Sequence, residues 1–424
     1  MAGLLGIFAF DEAWNVSRFL YFSMKAIRNR GQESSSMVTY STEFSEIDGL
    51  GDVEEVLSEE KVESLRGHIG LGGVSTERRK IFQGQKGKVR VLFSGVIKGV
   101  GENLKAAEYL SKEMNSFREL EEFVSFLEKL DERIYGSLLA LGEGFLLSYR
   151  DSSGIRPLLK GNLGFDLAIF SSELASIDVI GGDYFMDLNP GEINFLDKYG
   201  LRKEIIGEKK RKFCVFEYVY LSRHDNVWNS IHVEEVRNEI GRQLAREHPP
   251  EEDSVVIAVP ETARPFANGF SQEAGIPQRL GFERIGRHVR AAIKPTQYER
   301  LMGIQLKHNV IRSAVWGKKV YVLDDSVVRG NTLRNTVYWL RRRGAKEVHV
   351  RIGSPHLIHP CRYGIEVPIR DELIAAHNTE EEISRIIGAD SFRYLSTEGL
   401  IKAIGLKESE LCMECMKGAS NGGD

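Results

Sequence analysis

The stretch VYVLDDSVVRGNTL, residues 320–333, constrains the fold more than any other part of the chain. It opens with four apolar residues typical of a strand buried inside a parallel sheet. Asp324 and Asp325 follow at the carboxyl end of this strand, the edge where open α/β sheets bind ligands. A helix is predicted from Leu333 to Arg343, because three arginines mark its last turn and Gly344 follows it. The pattern predicts a strand, an acidic pair, a loop and a helix, with a ligand site at the turn.

The loop after the acidic pair suits a phosphate. Its backbone N–H groups and hydroxyls lie at the start of a helix, where the helix dipole places about half a positive charge. The two aspartates come too early to contact the same phosphate without repulsion, so we expect them to bind sugar hydroxyls or a hydrated Mg²⁺. The alternative is a strand that ends in an ordinary polar turn. The expected contact residues are Asp324, Asp325, Ser326, Val327, Val328, Arg329, Gly330, Asn331 and Thr332.

Length and charge limit the classes of protein to which the chain can belong. A chain of 424 residues is long enough for two or three domains. Its net charge of -4, with both signs intermixed, gives no general electrostatic footprint for nucleic acid. The basic runs at 209–212 and 341–343 are expected to be solvated, as a linker and a helix end. The apolar opening MAGLLGIFAF meets Asp11 and lacks a basic leader, so we expect a strand and a cytoplasmic protein without a membrane partner.

The order of elements predicts an α/β protein in two parts. Residues 1 to about 207 alternate short β-like runs with two amphipathic helices, near 16–29 and 117–130, as in a layered α/β sandwich. The segment GEKKRK at 207–212 is the predicted linker. Beyond it, strands at 255–259, 320–323 and 348–352 alternate with helices, as a parallel sheet requires.

The stretch at 320–333 resembles the PRPP-binding motif of type I phosphoribosyltransferases. Four further segments, PETARP at 260–265, KPTQ at 294–297, LKHN at 306–309 and SPHLIHPCRYGIEVP at 354–368, resemble the amidophosphoribosyltransferase family. The resemblance covers nearly the whole chain. It implies an amino-terminal four-layer αββα domain at 1–207, like N-terminal-nucleophile hydrolases and amidotransferases. It also implies a type I phosphoribosyltransferase domain with a parallel sheet and a cluster-binding tail at 213–424.

The family's activity is the first step of purine synthesis. It implies phosphoribosylamine formation from PRPP and ammonia, with the ammonia normally cut from glutamine by the amino-terminal domain. The resemblance also implies purine nucleotides as feedback ligands and a homo-oligomer. Within the transferase half it assigns pyrophosphate and phosphate contacts to Arg264, Arg287 and Arg290, the last two in GRHVRAAI at 286–293, which resembles a mobile lid. Mg²⁺ is expected near Thr262, Asp324 and Asp325.

The amino-terminal half resembles a glutaminase that has lost its chemistry. The segments RGQES at 30–34, RDSSGIRPL at 150–158, SSE at 171–173 and LNPGEI at 188–193 resemble the family's scaffold. In the family a cysteine directly after the initiator methionine attacks glutamine, whereas this chain has Ala2. The string LGGVST at 71–76 lacks the arginine that grips the glutamine carboxylate, and Ser94 replaces the oxyanion-stabilising asparagine. We therefore expect no glutamine hydrolysis.

The cysteines Cys214, Cys361, Cys412 and Cys415 match the ligands of the family's iron–sulfur branch. Four thiolates suit a [4Fe–4S] cluster or a structural zinc. The alternative is four unrelated buried cysteines.

The sequence thus predicts PRPP-dependent phosphoribosylamine synthesis that uses ammonia rather than glutamine. An alternative from another class is a catalytically silent, PRPP- or nucleotide-binding paralogue that regulates an active sister chain in a hetero-oligomer. Transfer to another small amine is a third possibility.

Overall fold

A computed structural model describes residues 1–283 and 309–418. Its amino-terminal half contains short strands connected by hairpins and helices. The strands are β1 (Ala2–Ala9), β2 (Ser34–Tyr40), β3 (Phe44–Leu50), β4 (Ile69–Ser75), β5 (Arg90–Ile97), β6 (Gly101–Glu102), β7 (Ile134–Gly142), β8 (Phe145–Arg150), β9 (Leu159–Leu163), β10 (Leu167–Ser171), β11 (Asp183–Asp187), β12 (Glu192–Asp197) and β13 (Gly200–Ile205). The helices are α1 (Ser17–Ala26), α2 (Val53–Val56), α3 (Glu59–Ser64), α4 (Asn103–Glu113), α5 (Leu120–Leu130) and α6 (Ala175–Asp178).

These strands form two antiparallel sheets that pack face to face. The first has the order β11-β9-β10-β1-β4-β2-β3, and the second has the order β13-β12-β8-β7-β5-β6. Strand β1 shows why they stack: Leu4 and Phe8 point into the core between the sheets, while Leu5 and Ile7 pack with residues of α1 on the outer face. Helices α4 and α5 cover the outside of the second sheet. The predicted four-layer αββα arrangement is therefore confirmed.

Helix α4 was not predicted from the sequence. Its buried face carries Asn103, Ala106, Ala107 and Ser111 beside Leu104 and Leu110, so small and polar residues interrupt the apolar pattern that signals an amphipathic helix. The two predicted helices are present as α1 and α5. Helix α1 is one residue shorter than expected at its start and three at its end, and α5 is three residues shorter at its start.

The carboxyl-terminal half is built around a parallel sheet with the order β17-β20-β21-β22. Its strands are β14 (Phe213–Cys214), β15 (Val227–Trp228), β16 (Ile231–His232), β17 (Ser254–Ala258), β18 (Phe282–Glu283), β19 (Asn309–Val310), β20 (Lys319–Asp324), β21 (Glu347–Ile352), β22 (Ser391–Tyr394) and β23 (Leu411–Cys412). Its helices are α7 (Val233–Glu247), α8 (Arg264–Ala274), α9 (Arg312–Val315), α10 (Asn331–Arg342), α11 (Glu380–Ile387), α12 (Thr397–Ile404) and α13 (Glu414–Lys417), with a π-helical turn at Glu217–Leu221.

Apolar side chains on both faces hold this sheet between helices. Val320 and Val322 of β20 pack with α10 and α11, whereas Tyr321 and Leu323 pack with α7 and α8. A strand covered on both faces needs a nearly continuous apolar run, which is why the sequence revealed β17 and β20. In β21, which reads EVHVRI, the β-branched Val348, Val350 and Ile352 indicate the strand. Strand β22 reads SFRY and was not predicted, because two of its four residues are polar.

The segment between the halves is more tightly held than expected. We predicted that the basic run at 209–212 would be solvated, and for two of its lysines this is wrong. Lys209 Nζ donates to the Ile134 carbonyl at 3.1 Å and lies over the Tyr135 ring. Lys212 Nζ donates to Glu414 at 2.9 Å. The linker therefore binds both halves through its charges. The run at 341–343 is exposed at the end of α10, as predicted.

A buried ion-pair network also joins the halves. Arg30 Nε donates to Glu173 at 2.8 Å, and its Nη2 donates to Glu217 at 2.8 Å across the junction. All three side chains are almost fully buried. Within the described residues, no helix combines the length and apolar character needed to cross a membrane.

Candidate active site and cysteine centre

The acidic pair lies at the carboxyl edge of the parallel sheet. Asp324 is the last residue of β20 and is buried, and its carbonyl accepts from Gly353 N–H at 2.9 Å. The carboxylate of Asp324 accepts from the Asp325 N–H at 3.0 Å. Ser326 Oγ donates to Asp325 at 2.7 Å. Both carboxylates are therefore fixed at the turn where the sequence placed them.

The loop after Asp325 leads into the start of α10. Val327 is buried and anchors the loop in the core, while the Val328 carbonyl accepts from Ile374 N–H at 2.8 Å. Gly330 has φ of +77°, and a Cβ there would lie 3.0 Å from Ile374 Cδ1, so this position requires glycine. Within the part of the chain that the structure describes, no side chain caps the first turn of α10, and Asn331 and Thr332 are exposed. Free N–H groups at a helix start form a site for an anion.

One expected contact residue points away from this loop. Arg329 forms an ion pair with Glu372, with both side chains about half exposed. Its guanidinium is thus engaged by a neighbouring loop, although its backbone N–H remains part of the turn.

The acidic pair suits a divalent cation. Burial, and then the charge of Asp325, raise the pKa of Asp324 well above its usual range. Burial also raises the pKa of Asp325 to about 6, against the opposing effect of Ser326, Arg237 and Thr262. Two adjacent buried carboxylates repel each other, and a bound cation relieves that repulsion. The oxygen-rich donor set therefore fits Mg²⁺.

The PETARP loop joins this site from β17. Thr262 hydrogen-bonds to Asp325, which brings the loop beside the acidic pair. Ala263 has φ of -81°, so this backbone does not need the glycine that the family places there. Arg264 is exposed at the first position of α8, at the same carboxyl edge of the sheet. Arg287, Arg290 and the KPTQ segment at 294–297 lie outside the described residues.

Arg237 is a site residue that the sequence did not reveal. It lies on the buried face of α7, where its three nitrogens bind the Tyr218 carbonyl, the Ser222 carbonyl and His224 Nδ1, each at 2.8 Å. Among the described residues no carboxylate forms an ion pair with Arg237, and its charge lowers the pKa of Asp325. The signal that the sequence offered was the spacing of Arg237, which places it on the same helical face as the apolar residues of α7.

A cavity of about 630 Å³ connects this site with the amino terminus. Thr262 and Arg237 line one part of it, and Met1 lines another. The Met1 α-amino group donates to Thr76 Oγ1 at 2.7 Å and to Glu366 at 3.4 Å. Burial lowers the pKa of this amino group, while Glu366 opposes that effect.

The position of the family's nucleophile is occupied by a packed strand residue. Ala2 is buried at the start of β1, opposite Ser75 of β4. Two residues before Ser75, a Cβ on Gly73 would lie 2.6 Å from Leu92 and 3.3 Å from Ile81. Apolar side chains therefore fill the space beside the position where the family's clamp arginine starts. Ser94 is buried in β5.

The cysteines come together where the carboxyl tail meets the first strand of the second half. Strands β14 and β23 pair in parallel, with Cys214 opposite Cys412. The Cys415 carbonyl accepts from Ile358 N–H and His359 N–H, both at 3.0 Å, which holds the tail beside the segment that carries Cys361. Cys361 Sγ accepts from Tyr363 N–H at 3.3 Å. All four thiols are free and belong to or border one core.

The electrostatics of the thiols are dominated by burial. Burial raises the pKa of Cys412 to about 12 and raises the pKa values of Cys214 and Cys415 further. Neighbouring cysteines contribute to each shift in the same direction. Buried thiols of this kind become thiolates when a metal supplies positive charge.

A different group of possible ligands lies at the opposite edge of the parallel sheet. Glu251, Glu347 and His349 have ligand atoms within 4.8 Å of one another. Lys319 Nζ already forms ion pairs with both glutamates, so it offsets part of the negative charge of this group. It is separate from the acidic pair at 324 and 325.

The fold and the site together define a class of protein. A parallel sheet with an acidic pair and an uncapped helix start is the architecture of a type I phosphoribosyltransferase, and the two stacked antiparallel sheets are typical of N-terminal-nucleophile amidotransferases. No family model matches the chain. Curated relatives do, among them amidophosphoribosyltransferases from Methanothermobacter thermautotrophicus, 37% identical, and Archaeoglobus fulgidus, 35% identical. The alignments cover 98% of this chain and 93% and 97% of those proteins.

Solved structures agree over the whole length. Glutamine PRPP amidotransferase from B. subtilis, complexed with ADP and GMP, matches with a TM-score of 0.83 and 30% identity, covering 99% of this chain and 97% of that one. A structure described as the allosteric regulatory enzyme of purine biosynthesis matches with a TM-score of 0.84 and 28% identity, covering 99% of this chain and 96% of that one. The chain belongs to the amidophosphoribosyltransferase family.

Proposed function

We propose that this protein forms phosphoribosylamine from PRPP and ammonia and does not hydrolyse glutamine. The proposal rests on a contrast between the transferase site and the glutaminase site. The acidic pair and the uncapped helix start are intact, whereas Ala2 offers no nucleophilic atom and Leu92 and Ile81 pack beside Gly73. The proposed division is an inactive amidotransferase-like domain at 1–207 and a transferase domain at 213–424.

The proposed chemistry is mainly positioning and charge neutralisation. Asp324 and Asp325 orient the ribose hydroxyls, and the loop from Ser326 to Thr332 holds the 5-phosphate at the start of α10. Thr262 and the two aspartates would hold Mg²⁺, which would supply positive charge to offset that of the departing pyrophosphate. Arg264 lies at the same carboxyl edge of the sheet for that role, and the family resemblance adds Arg287 and Arg290. Neutral ammonia needs no strong general base.

The four cysteines are proposed to hold a [4Fe–4S] cluster, with a structural zinc as the alternative. The pairing of Cys214 with Cys412, and the Cys415 carbonyl that holds the segment carrying Cys361, support a shared site for the four thiols. The preference for the cluster over zinc follows the resemblance to the family's iron–sulfur branch. When bound, it would join the tail, the β14 segment and the Cys361 loop.

The remaining assignments follow the family. The B. subtilis enzyme was solved with ADP and GMP, which supports purine nucleotides as ligands here. A homo-oligomer and a cytoplasmic location are also proposed. The second candidate is the silent regulatory paralogue, which would form a hetero-oligomer with an active sister chain.

Pyrophosphate release separates these two functions. The purified protein is incubated with PRPP, Mg²⁺ and ammonium at alkaline pH, where free ammonia is present. Release that depends on ammonium supports the enzyme. Tight PRPP binding with no release above the blank contradicts it and favours the regulatory paralogue.

A further inference from the structure

Arg156 is a buried arginine beside the cysteine centre. Its side chain is about 2% exposed, and its Nη2 donates to the Tyr363 carbonyl at 2.8 Å. The N–H of the same Tyr363 donates to Cys361 Sγ at 3.3 Å. The guanidinium also acts on Cys214, whose pKa burial raises and Arg156 lowers. Arg156 thus contacts the Cys361 loop directly and influences a second cysteine through its charge.

Two of its donor groups lack an acceptor. Nε and Nη1 are buried and make no hydrogen bond to any described residue. Glu217 Oε1 lies 3.5 Å from Nη1 in an ion pair, and the other oxygen of this carboxylate already accepts from Arg30 and Ser222, each at 2.8 Å. An unpaired buried donor costs about 1–3 kcal/mol, and more when it is charged. Nε and Nη1 are therefore open to an acceptor on a group bound beside them.

We propose that Arg156 is a positioning residue for the metal–sulfur group held by the four cysteines, donating to one of its sulfurs and keeping a positive charge beside it. This inference rests on the proposed cluster. Thiolate and sulfide sulfurs carry negative charge, and hydrogen bonds to them are among the factors that set a cluster's potential. Reduction adds negative charge, so a nearby cation favours the reduced form. Arg156 should therefore raise the reduction potential.

The test compares reconstituted clusters in intact proteins. Wild type, Arg156→Met and Arg156→Lys are purified anaerobically, and iron, sulfide and reduction potential are measured for each. Methionine keeps the bulk and removes the charge, whereas lysine keeps the charge without the planar donors. We expect a more negative potential for Arg156→Met and an intermediate value for Arg156→Lys. Arg351→Met is the matched control, because Arg351 is also buried but lies in the parallel sheet beside Tyr321 and Ser391.

The outcomes separate this inference from the cluster proposal. An Arg156→Met protein with full iron and an unchanged potential overturns the role of Arg156 and leaves the cluster in place. A colourless, iron-free wild type overturns the cluster itself. If Arg156→Met takes up no iron, uptake restored in Arg156→Lys supports the role of the charge. Failure of both variants, with Arg351→Met loaded normally, contradicts it, since lysine keeps the charge that the role requires.

Discussion

Cys214 and Cys412 lie opposite each other in a two-residue parallel ladder that joins the start of the transferase half to its tail. Such a short ladder contributes few hydrogen bonds, so a bound cluster would contribute much of the local stability. We predict that Cys412→Ser bleaches the anaerobically purified protein and lowers its melting temperature. Met416→Leu, in the same core, should keep both colour and stability. Absorbance and iron analysis measure the loss of the cluster, and calorimetry measures the melting temperature. A Cys412→Ser protein that retains brown colour and full iron would contradict the ligand assignment.

Asp325→Asn should abolish Mg²⁺-dependent PRPP binding in titration calorimetry, because it removes a charge from the proposed cation and hydroxyl site. Asp371→Asn is the matched control, since Asp371 is largely exposed in a neighbouring loop. It should bind PRPP as wild type does. Unchanged PRPP affinity in the Asp325 variant would show that the acidic pair is only scaffold.

The same pair should make stability depend on pH. The pKa of Asp325 is raised by burial to about 6, so the folded protein holds protons that the unfolded chain releases from about pH 4 upward. The stabilising effect of that proton is full at acidic pH and is lost as the pH rises through about 6. The pKa of Asp324 is raised in the same direction, so the same sign applies to it. Without Mg²⁺, the Asp324→Asn protein should therefore have a higher melting temperature than wild type at pH 8, and this difference should shrink at pH 5. A variant that melts lower at pH 8 would contradict this sign.

The buried junction between the halves should depend strongly on Glu217. Glu217→Gln leaves the fully buried Arg30 with one carboxylate partner, Glu173, and breaking a buried ion pair typically costs about 3–5 kcal/mol. The variant should unfold at a clearly lower urea concentration. Glu63→Gln breaks the exposed pair with Arg18 and should change stability by less than about 1 kcal/mol. Equal effects of the two substitutions would exclude the buried network as a main support.

The elements that could be predicted from the sequence carry the evidence for them in their own residues. The buried strand that ends at Asp324 needs an apolar run, and the helix start beyond Gly330 needs a residue tolerant of positive φ. The site residue Arg237 had no comparable signal, because a helical arginine is usually solvated and its burial depends on contacts with Tyr218 and Ser222. The positions of Lys209 and Arg156 likewise depend on which surfaces meet at the junction, which is a tertiary property.

The central claim is that ammonia drives turnover and glutamine does not. Pyrophosphate release from PRPP, measured with ammonium and then with glutamine, tests it most directly, with glutamate formation followed in parallel. We predict release with ammonium, none with glutamine and no glutamate. Ala2→Cys alone should not restore glutamine use, because Gly73 and Ser94 still lack the clamp and oxyanion groups. Glutamate formation or glutamine-driven release by the wild-type protein would contradict the account.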